Sequence, residues 1–372
     1  MDLGAFDYQP RTRLVFGPGT LARVGELARD VGGKRVLVVT DPGIAGAGYP
    51  AQAMALIEEA GMVAQVFAEV HENPTTVDVD HCVAAAREFG ADLIIGLGGG
   101  SSMDTAKGCN FILTNGGRMQ DYWGVNKASQ PMLPMIAIPT TAGTGSECQS
   151  FALISDAETH VKMACGDYRA AAKVAILDAE LTVSQPHRVT VCTGIDALSH
   201  ALESAVTTKR NAWSAMYSRE AFRLCHSGFN RVLREPENVE ARGQMLLGAA
   251  YAGIAIENSM LGAAHSCANP LTAFFNVVHG EAVGVMLPHV IRFNAALPEV
   301  AAIYESYHDG DLADRVTEML REAQMPTNIG HYGVKEANLP ELAAMAAKQW
   351  TAQFNPRSIS EADFVALYRA AL

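Results

Sequence analysis

The sequence predicts an α/β domain over residues 1–183, followed by an all-helical domain over residues 184–372. Three observations support this prediction. Short apolar runs alternate with amphipathic stretches in the first half, a glycine-rich turn follows one of these runs, and strand signals fade after about residue 183. Alternation of strand and helix favours a parallel sheet covered by helices on both faces. A chain of this length also has room for two hydrophobic cores.

Six short apolar runs predict the strands of that sheet: 13–17, 34–40, 64–67, 92–97, 135–138 and 174–177. The run 92–97 is almost wholly apolar, as expected for a strand that is buried on both faces. Helical patterns separate the early runs at 20–28, 50–60 and 77–89. In the second half, helical patterns cover 193–206, 212–229, 239–256, 270–277, 281–294 and 361–371.

Composition restricts the class of protein. The net charge is −12 and there is no basic tract, which argues against a nucleic-acid partner. The seven cysteines are scattered without a C-x-x-C pair, as is typical of reduced thiols in a cytosolic protein. No basic-then-apolar leader is evident, and no uncharged apolar run approaches the roughly 20 residues of a membrane span. We therefore expect a soluble cytoplasmic protein.

A glycine-rich turn follows the run 92–97. Gly98, Gly99, Gly100 and Ser101 come where the strand stops and a helix begins, and Ser101 with Asp104 resembles a capping box. Free N–H groups at a helix N-terminus bind phosphate, and successive glycines let the backbone approach a ligand. The alternative is a tight strand-to-helix turn that binds nothing.

Asp41 follows the run 34–40 and is a candidate partner of a ribose. Its carboxylate could accept hydrogen bonds from ribose hydroxyls and repel a 2′-phosphate, or it could only form a turn before Pro42-Gly43. No G-x-G-x-x-G follows the first strand, and Asp41 precedes the glycine turn instead of following it. The usual dinucleotide fingerprint is therefore not present.

A second polar loop follows the run 135–138. Thr140, Thr141, Thr144 and Ser146 supply four hydroxyl groups that could donate hydrogen bonds to a cofactor, or could form an ordinary polar loop. Lys162 lies in a β-like run. Its ammonium could meet a phosphate or ribose, or could extend into solvent, as a lone lysine usually does.

A candidate metal site begins at Asp196 and His200. Their spacing of four places both side chains on one helix face, one turn apart. His265 and His279 follow among small or apolar residues. Three imidazoles and one carboxylate suit Zn²⁺ or Fe²⁺ better than Mg²⁺ or Ca²⁺. Alternatively, Asp196 caps a helix in a Thr193 capping box, and His200 is a buried core histidine.

Together these segments resemble the iron-containing (group III) alcohol dehydrogenase family, and within it the lactaldehyde reductase and 1,3-propanediol dehydrogenase type. The motifs are 98–104, 139–147, 193–200 and 279–280, and the resemblance runs almost from end to end. It implies a Rossmann-like dinucleotide-binding domain, then an all-α domain, in a dehydroquinate synthase-like architecture. It also implies an active site in the cleft between the domains, and a homodimer or larger assembly.

The resemblance further implies two sets of ligands. The metal ligands are Asp196, His200, His265 and His279, around Fe²⁺ or alternatively Zn²⁺. The NAD contacts are Asp41, Gly98, Gly99, Gly100, Ser101, Asp104, Thr140, Thr141, Thr144, Lys162 and Leu181, with the pyrophosphate on residues 98–101.

One departure affects the expected chemistry. Asn269 stands four residues after His265, where the family has a second histidine thought to help proton movement. An amide forms hydrogen bonds but does not titrate usefully. The proton then leaves through water and cofactor hydroxyls, or the chemistry is altered.

The expected function is a metal-dependent alcohol dehydrogenase or aldehyde reductase that transfers hydride between NAD(H) and a small primary alcohol or aldehyde, with the metal as Lewis acid. One alternative is a hydroxyacid-oxoacid transhydrogenase with tightly held cofactor, which stoichiometric release of NADH would exclude. Another is a dehydroquinate synthase-like lyase, for which a basic cluster near the ligands is missing from the sequence. A third is a non-catalytic nucleotide-binding protein.

Overall fold

The computed structural model describes residues 5–372, which form two compact units. One unit is α/β and comprises residues 9–141 and 145–185. The other is helical and comprises residues 5–8, 142–144 and 186–372. The short segment 142–144 therefore belongs by its contacts to the helical unit, although both of its flanks belong to the α/β unit.

The α/β unit confirms the predicted class of fold for the first half. Its strands are β1 Arg13–Phe16, β2 Arg35–Val39, β3 Val63–Phe67, β4 Leu93–Gly98, β5 Gly124–Val125, β6 Met135–Pro139, β7 Phe151–Ser155, β8 Lys162–Gly166 and β9 Val174–Leu177. Its helices are α1 Val24–Asp30, α2 Pro42–Gly46, α3 Tyr49–Glu59, α4 Thr76–Phe89 and α5 Gly100–Asn115.

Six strands form a parallel sheet in the order β1-β9-β6-β4-β2-β3, and these are the six that the apolar runs predict. Successive side chains of β4 alternate between two cores: Ile94 packs with α4 and α5 on one face, and Ile95 packs with α1 and α3 on the other. Burial on both faces explains why this strand is apolar throughout. The chain runs from β2 to the edge strand β3 and then back past β2 to β4, so the direction of winding reverses between β2 and β4.

A second sheet of three short strands has the order β5-β8-β7, with β7 and β8 antiparallel. The sequence indicated only a β-like run near Lys162. β5 has only two residues, too few for a pattern, whereas the apolar run 151–154 of β7 was not among the predicted strands.

The helical unit contains α6 His187–Ser204, α7 Ala212–Arg234, α8 Val239–Ser259, α9 Ala263–Phe275, α10 His279–Asn294, α11 Pro298–Glu305, α12 Leu312–Glu322, α13 Leu339–Ala347 and α14 Glu361–Ala370. Two predicted helix starts are wrong. α6 begins at His187 and not at Thr193, and α9 begins at Ala263 with Pro270 in its interior and not at its start. Within residues 5–372, the helices are all too short or too polar to cross a bilayer.

Candidate functional site

Helix α6 places Asp196 and His200 one turn apart in its middle. Both are nearly buried. The expected alternative, in which Thr193 and Asp196 form a capping box, is wrong because the helix begins at His187. The Thr193 hydroxyl instead donates to the Val189 carbonyl at 2.8 Å, one turn back along the helix.

The other two histidines lie in the first turns of later helices. His265 is the third residue of α9, and His279 is the first residue of α10. Their Nε2 atoms lie 3.5 and 3.9 Å from Asp196 Oδ1, and that of His200 lies 3.4 Å from it. The Nε2 atoms of His200 and His265 are 3.1 Å apart. Three imidazoles from three helices thus converge on one carboxylate oxygen of Asp196.

The spacing of these atoms fits a first-row divalent ion. Four ligands at tetrahedral positions about 2.1 Å from an ion are about 3.4 Å from one another. The candidate ligand atoms of Asp196, His265 and His279 all lie within 4.8 Å of one another. Asp196 Oδ1 is buried, and no hydrogen-bond donor among residues 5–372 satisfies it, so its lone pairs suit a cation.

The electrostatics of the cluster also favour metal binding. Burial opposes ionisation of Asp196, but the three imidazoles lower its pKa below the usual range. Burial lowers the pKa of His200 and keeps it neutral. Burial also opposes the charged form of His265, but the carboxylates of Glu203 and Asp196 outweigh it and raise that pKa to about 9. A metal ion would therefore displace a proton from His265 at neutral pH.

Glu203 is not among the residues predicted from the sequence, although it lies on the same face of α6 as Asp196 and His200. Its Oε2 is 2.5 Å from His265 Nδ1, and its Oε1 accepts a hydrogen bond from the Ala264 N–H at 2.7 Å. The sequence nevertheless carries a signal for Glu203. A glutamate seven residues after Asp196, within an otherwise apolar or small stretch, is seldom buried without a partner.

In the α/β unit, the glycine turn leads directly into helix α5. Gly98 has φ 152°, and a Cβ there would lie 2.4 Å from Ser102 Oγ, so the fold itself requires this glycine. The predicted capping box is wrong. The cap position is Gly99, no side chain caps the helix, and Asp104 instead accepts a hydrogen bond from Ser146 Oγ at 2.7 Å. Ser101 lies in the first helical turn, which leaves an uncapped N-terminus with Gly99 and Gly100 at its tip.

Asp41 is both a helix cap and a neighbour of the glycine turn. Its Oδ1 accepts from the Ile44 N–H at 3.0 Å and begins the short helix α2. Its Oδ2 accepts from Ser102 Oγ at 3.4 Å. Because β2 and β4 are adjacent, the two segments meet at the carboxyl ends of the strands, where the winding of the sheet reverses.

The next strand, β6, brings Thr140 and Thr141 to the same edge. Thr140 is buried after β6, and Thr141 packs against Gly99, where a Cβ would lie 3.5 Å from its Cγ2. Thr144 lies in the segment 142–144 of the helical unit. Ligands bind open parallel sheets at such carboxyl ends beside the reversal point.

The remaining predicted contacts divide into polar and core positions. Burial raises the pKa of Asp104, and the positive charges of Lys107 and Lys162 offset this only in part. Lys162 begins β8 and is exposed. Leu181 is buried in the core beneath α1 and α3, so packing alone accounts for its apolar side chain.

Asn269 lies one turn after His265 on α9 and is half-buried. Its Nδ2 donates to Gln349 Oε1 at 2.9 Å. The neighbouring Ser266 hydroxyl pairs with that of Thr351 at 2.7 Å. At the expected proton-transfer position the chain therefore has the amide of Asn269, which is hydrogen-bonded to the amide of Gln349.

Two family models match the chain: iron-containing alcohol dehydrogenase over residues 10–179, and the C-terminal part of the Fe-containing alcohol dehydrogenase family over residues 190–372. The chain is 33% identical over 371 residues to an NAD-dependent methanol dehydrogenase of Bacillus methanolicus, covering 96% of this chain and 97% of that protein. It is 32% identical over 386 residues to a 1,3-propanediol dehydrogenase of Klebsiella pneumoniae, covering all of both. A crystal structure of a 1,3-propanediol oxidoreductase matches with a TM-score of 0.95 and 32% identity, over 99% of this chain and 100% of that one.

Proposed function

Because this chain belongs to the iron-containing alcohol dehydrogenase family, we propose that it transfers hydride between NAD(H) and a small primary alcohol or aldehyde. The chain is a metal-dependent alcohol dehydrogenase, as its family and its named relatives show. The observation that carries the proposal for its site is the convergence of three imidazole nitrogens on Asp196 Oδ1.

In this proposal Asp196, His200, His265 and His279 hold one Fe²⁺ or Zn²⁺ ion. Such an ion supplies Lewis-acid polarisation of the substrate oxygen, which lowers the pKa of an alcohol. The protein's own groups hold the ligand set in place. Asp196 contributes a negative charge in a buried position, and His200 is kept neutral by burial, so both present lone pairs without first losing a proton.

The α/β unit would bind NAD(H) at the carboxyl ends of β2, β4 and β6. The uncapped N-terminus of α5 offers N–H donors to the pyrophosphate, and Asp41 offers a carboxylate to the ribose. Gly99 has neither a positive φ nor a close neighbour that demands glycine, which fits a close approach by the cofactor. The methanol dehydrogenase relative is named as NAD-dependent, and this supports NAD as the cofactor of the present chain.

The proposal extends to a cytoplasmic homodimer or larger assembly. The seven cysteines are all buried and scattered through the chain, which fits reduced thiols in a reducing compartment. Family resemblance supports the assembly. Light scattering on the purified enzyme should give at least twice the 39.6 kDa mass of one chain.

The central test removes one proposed ligand. His279→Ala should lose bound metal and alcohol oxidation together, whereas His289→Ala removes a half-buried imidazole from the same helix and should retain both. Metal content by mass spectrometry and NADH absorbance with a panel of alcohols and aldehydes measure the two effects. An active, metal-loaded His279→Ala enzyme would contradict the site. Reduction of an oxo acid by a hydroxy acid without free NADH would instead identify a transhydrogenase.

A further inference from the structure

We propose that Glu203 is a positioning residue that sets the affinity of the helical unit for its divalent ion. It acts by fixing both the ring of His265 and the start of the helix that carries it. This inference rests on the proposed metal site. It adds a residue that donates no ligand atom and that lies outside the predicted set.

The first contact fixes the imidazole ring. Glu203 Oε2 lies 2.5 Å from His265 Nδ1, and the Glu203 side chain is 4% exposed. Because a carboxylate accepts hydrogen bonds, Nδ1 must carry the proton in this contact. Nε2, which faces Asp196 at 3.5 Å, is then the nitrogen left to bind the ion.

The second contact fixes the helix. α9 begins after Gly262, which offers no side-chain cap, and Glu203 Oε1 accepts from the N–H of Ala264 at 2.7 Å. Asn355 Oδ1 accepts from the N–H of Ala263 at 3.3 Å. A Cβ on Gly262 would lie 3.1 Å from both of these oxygens, so the glycine leaves space for them. A negative charge at a helix N-terminus is also favourable to the helix dipole.

The two contacts come from the two oxygens of one buried carboxylate. Glu203 therefore couples α6, which carries Asp196 and His200, to the first turn of α9, which carries His265. It also supplies the second buried negative charge of the cluster. Asp196 and Glu203 together balance a divalent cation among neutral imidazoles, while Glu203 leaves the coordination positions to other residues.

The test is the metal affinity of Glu203→Gln, since glutamine keeps the size and an acceptor oxygen but removes the charge. Loss of an outer partner of a ligand histidine lowers metal affinity roughly 10–100-fold. We expect that loss when apo full-length protein competes with a chromophoric chelator for Zn²⁺. The visible spectrum of the Co²⁺-loaded protein should change as well, because the orientation of His265 changes.

Asp178→Asn is the matched control. Asp178 is a buried carboxylate that accepts backbone N–H groups of Gly19 and Leu21 in the α/β unit, so its loss lowers stability without touching a ligand. Its Zn²⁺ affinity should equal that of the unmodified protein. Gly262→Ala is a second variant that crowds Glu203 without changing any charge, and it should weaken Zn²⁺ binding in the same direction.

The outcomes separate this inference from the proposed function. If Glu203→Gln and Gly262→Ala both bind Zn²⁺ as tightly as the unmodified protein, with an unchanged Co²⁺ spectrum, the role of Glu203 is wrong. If His265→Ala also keeps its Zn²⁺ affinity, the metal site itself is wrong. If Glu203→Gln fails to fold, as judged by circular dichroism, Gly262→Ala decides the question.

Discussion

Asp41 combines a structural contact with the charge expected to choose the cofactor. Asn preserves the helix cap that Asp41 provides to Ile44 but removes the carboxylate. Asp41→Asn should therefore lower the ratio of kcat/KM for NAD⁺ over NADP⁺ by about tenfold or more, because the 2′-phosphate is no longer repelled. Asp41→Gly should relax the preference too, with some loss of stability.

The control for this prediction is Asp92→Asn. Asp92 accepts the N–H groups of Lys34 and Arg35 at the opposite end of β2, so its loss should leave the cofactor ratio unchanged. Steady-state kinetics with both cofactors measure the ratio. A preference of Asp41→Asn equal to that of the unmodified enzyme would show that Asp41 serves only as a cap.

Glu147 makes stability depend on pH. It is buried, its Oε1 has no hydrogen-bond partner among residues 5–372, and burial raises its pKa to about 7 from 4.5. Between these two pKa values the folded state keeps a proton that the unfolded chain releases. The free energy of unfolding is therefore highest below pH 4.5 and falls as the pH rises from 4.5 to about 7. The free energy of unfolding falls by about 3 kcal/mol over this range.

Glu147→Gln should remove this dependence. The difference in unfolding free energy between the variant and the unmodified protein should shift in favour of the variant between pH 4.5 and pH 8. Urea unfolding of the metal-free protein at several pH values measures it. A difference that stays constant across this range would show that Glu147 is ionised without cost.

At the residue scale, the sequence predicted that Asp196, His200, His265 and His279 lie together, but it did not predict the groups that support them. A histidine or aspartate beside small residues is conspicuous. Two sets of supporting contacts are visible only once the chain folds: that of Glu203 with the N–H of Ala264, and those of Lys107 with the carbonyl oxygens of Ser146 and Phe151. Backbone partners carry no residue-type signal, so composition and spacing could not reveal them.

Among the elements, the start of α10 is the most tightly constrained. A Cβ on Gly280 would lie 2.1 Å from the carbonyl oxygen of Cys192 on α6, and this oxygen belongs to backbone that cannot rotate away. Gly280→Ala should push α10 outward, displace His279 and lower Zn²⁺ affinity while total helix content is kept. The cost in stability should be about 1–3 kcal/mol or more.

Gly284→Ala is the control for this element because it lies one turn further along α10. Its Cβ would meet side-chain atoms of Ile195 and Leu320 instead of backbone. It should lower stability but retain more Zn²⁺ affinity than Gly280→Ala. Chelator competition together with thermal unfolding distinguishes the two effects, and equal affinities for both variants would contradict the constraint.

Elements with an apolar signature were predicted well, and those without one were not. The inner strands β2, β4, β6 and β9 are buried almost throughout, so their sequences are rich in Val, Ile and Leu. The edge strands β1 and β3 keep shorter apolar runs with exposed positions. The start of α6 was misplaced because Thr193 and Asp196 inside the helix resemble a capping box, and that of α9 because a proline usually marks the first turn of a helix. Pro186 precedes α6, while Pro270 lies inside α9, where helix packing overrides its usual effect.

For the whole molecule, the two proposed ligands should stabilise different parts of the chain. The four proposed metal ligands all lie on α6, α9 and α10 of the helical unit, and the proposed NAD contacts lie mostly at the ends of β2, β4 and β6. Zn²⁺ should slow amide hydrogen exchange in those three helices, and NAD⁺ should slow it around residues 98–104 and 140–141. Exchange measured by mass spectrometry with each ligand alone tests this, and protection of the sheet by Zn²⁺ alone would contradict the assignment.

The segment 142–144 restricts where the gene for such a chain can recombine with that of a relative. The backbone passes between the two units at residues 8–9, 141–142, 144–145 and 185–186, so one cut near residue 185 does not separate them. A Cβ on Gly143 would lie 2.5 Å from Cβ of Thr193, which shows how closely this segment packs on α6. A chimaera that exchanged the second half of the gene with that of a relative would take Gly143 from one parent and Thr193 from the other. We expect recombination at that point to give a stable chain only when the residue at position 143 of one parent fits the residue at position 193 of the other.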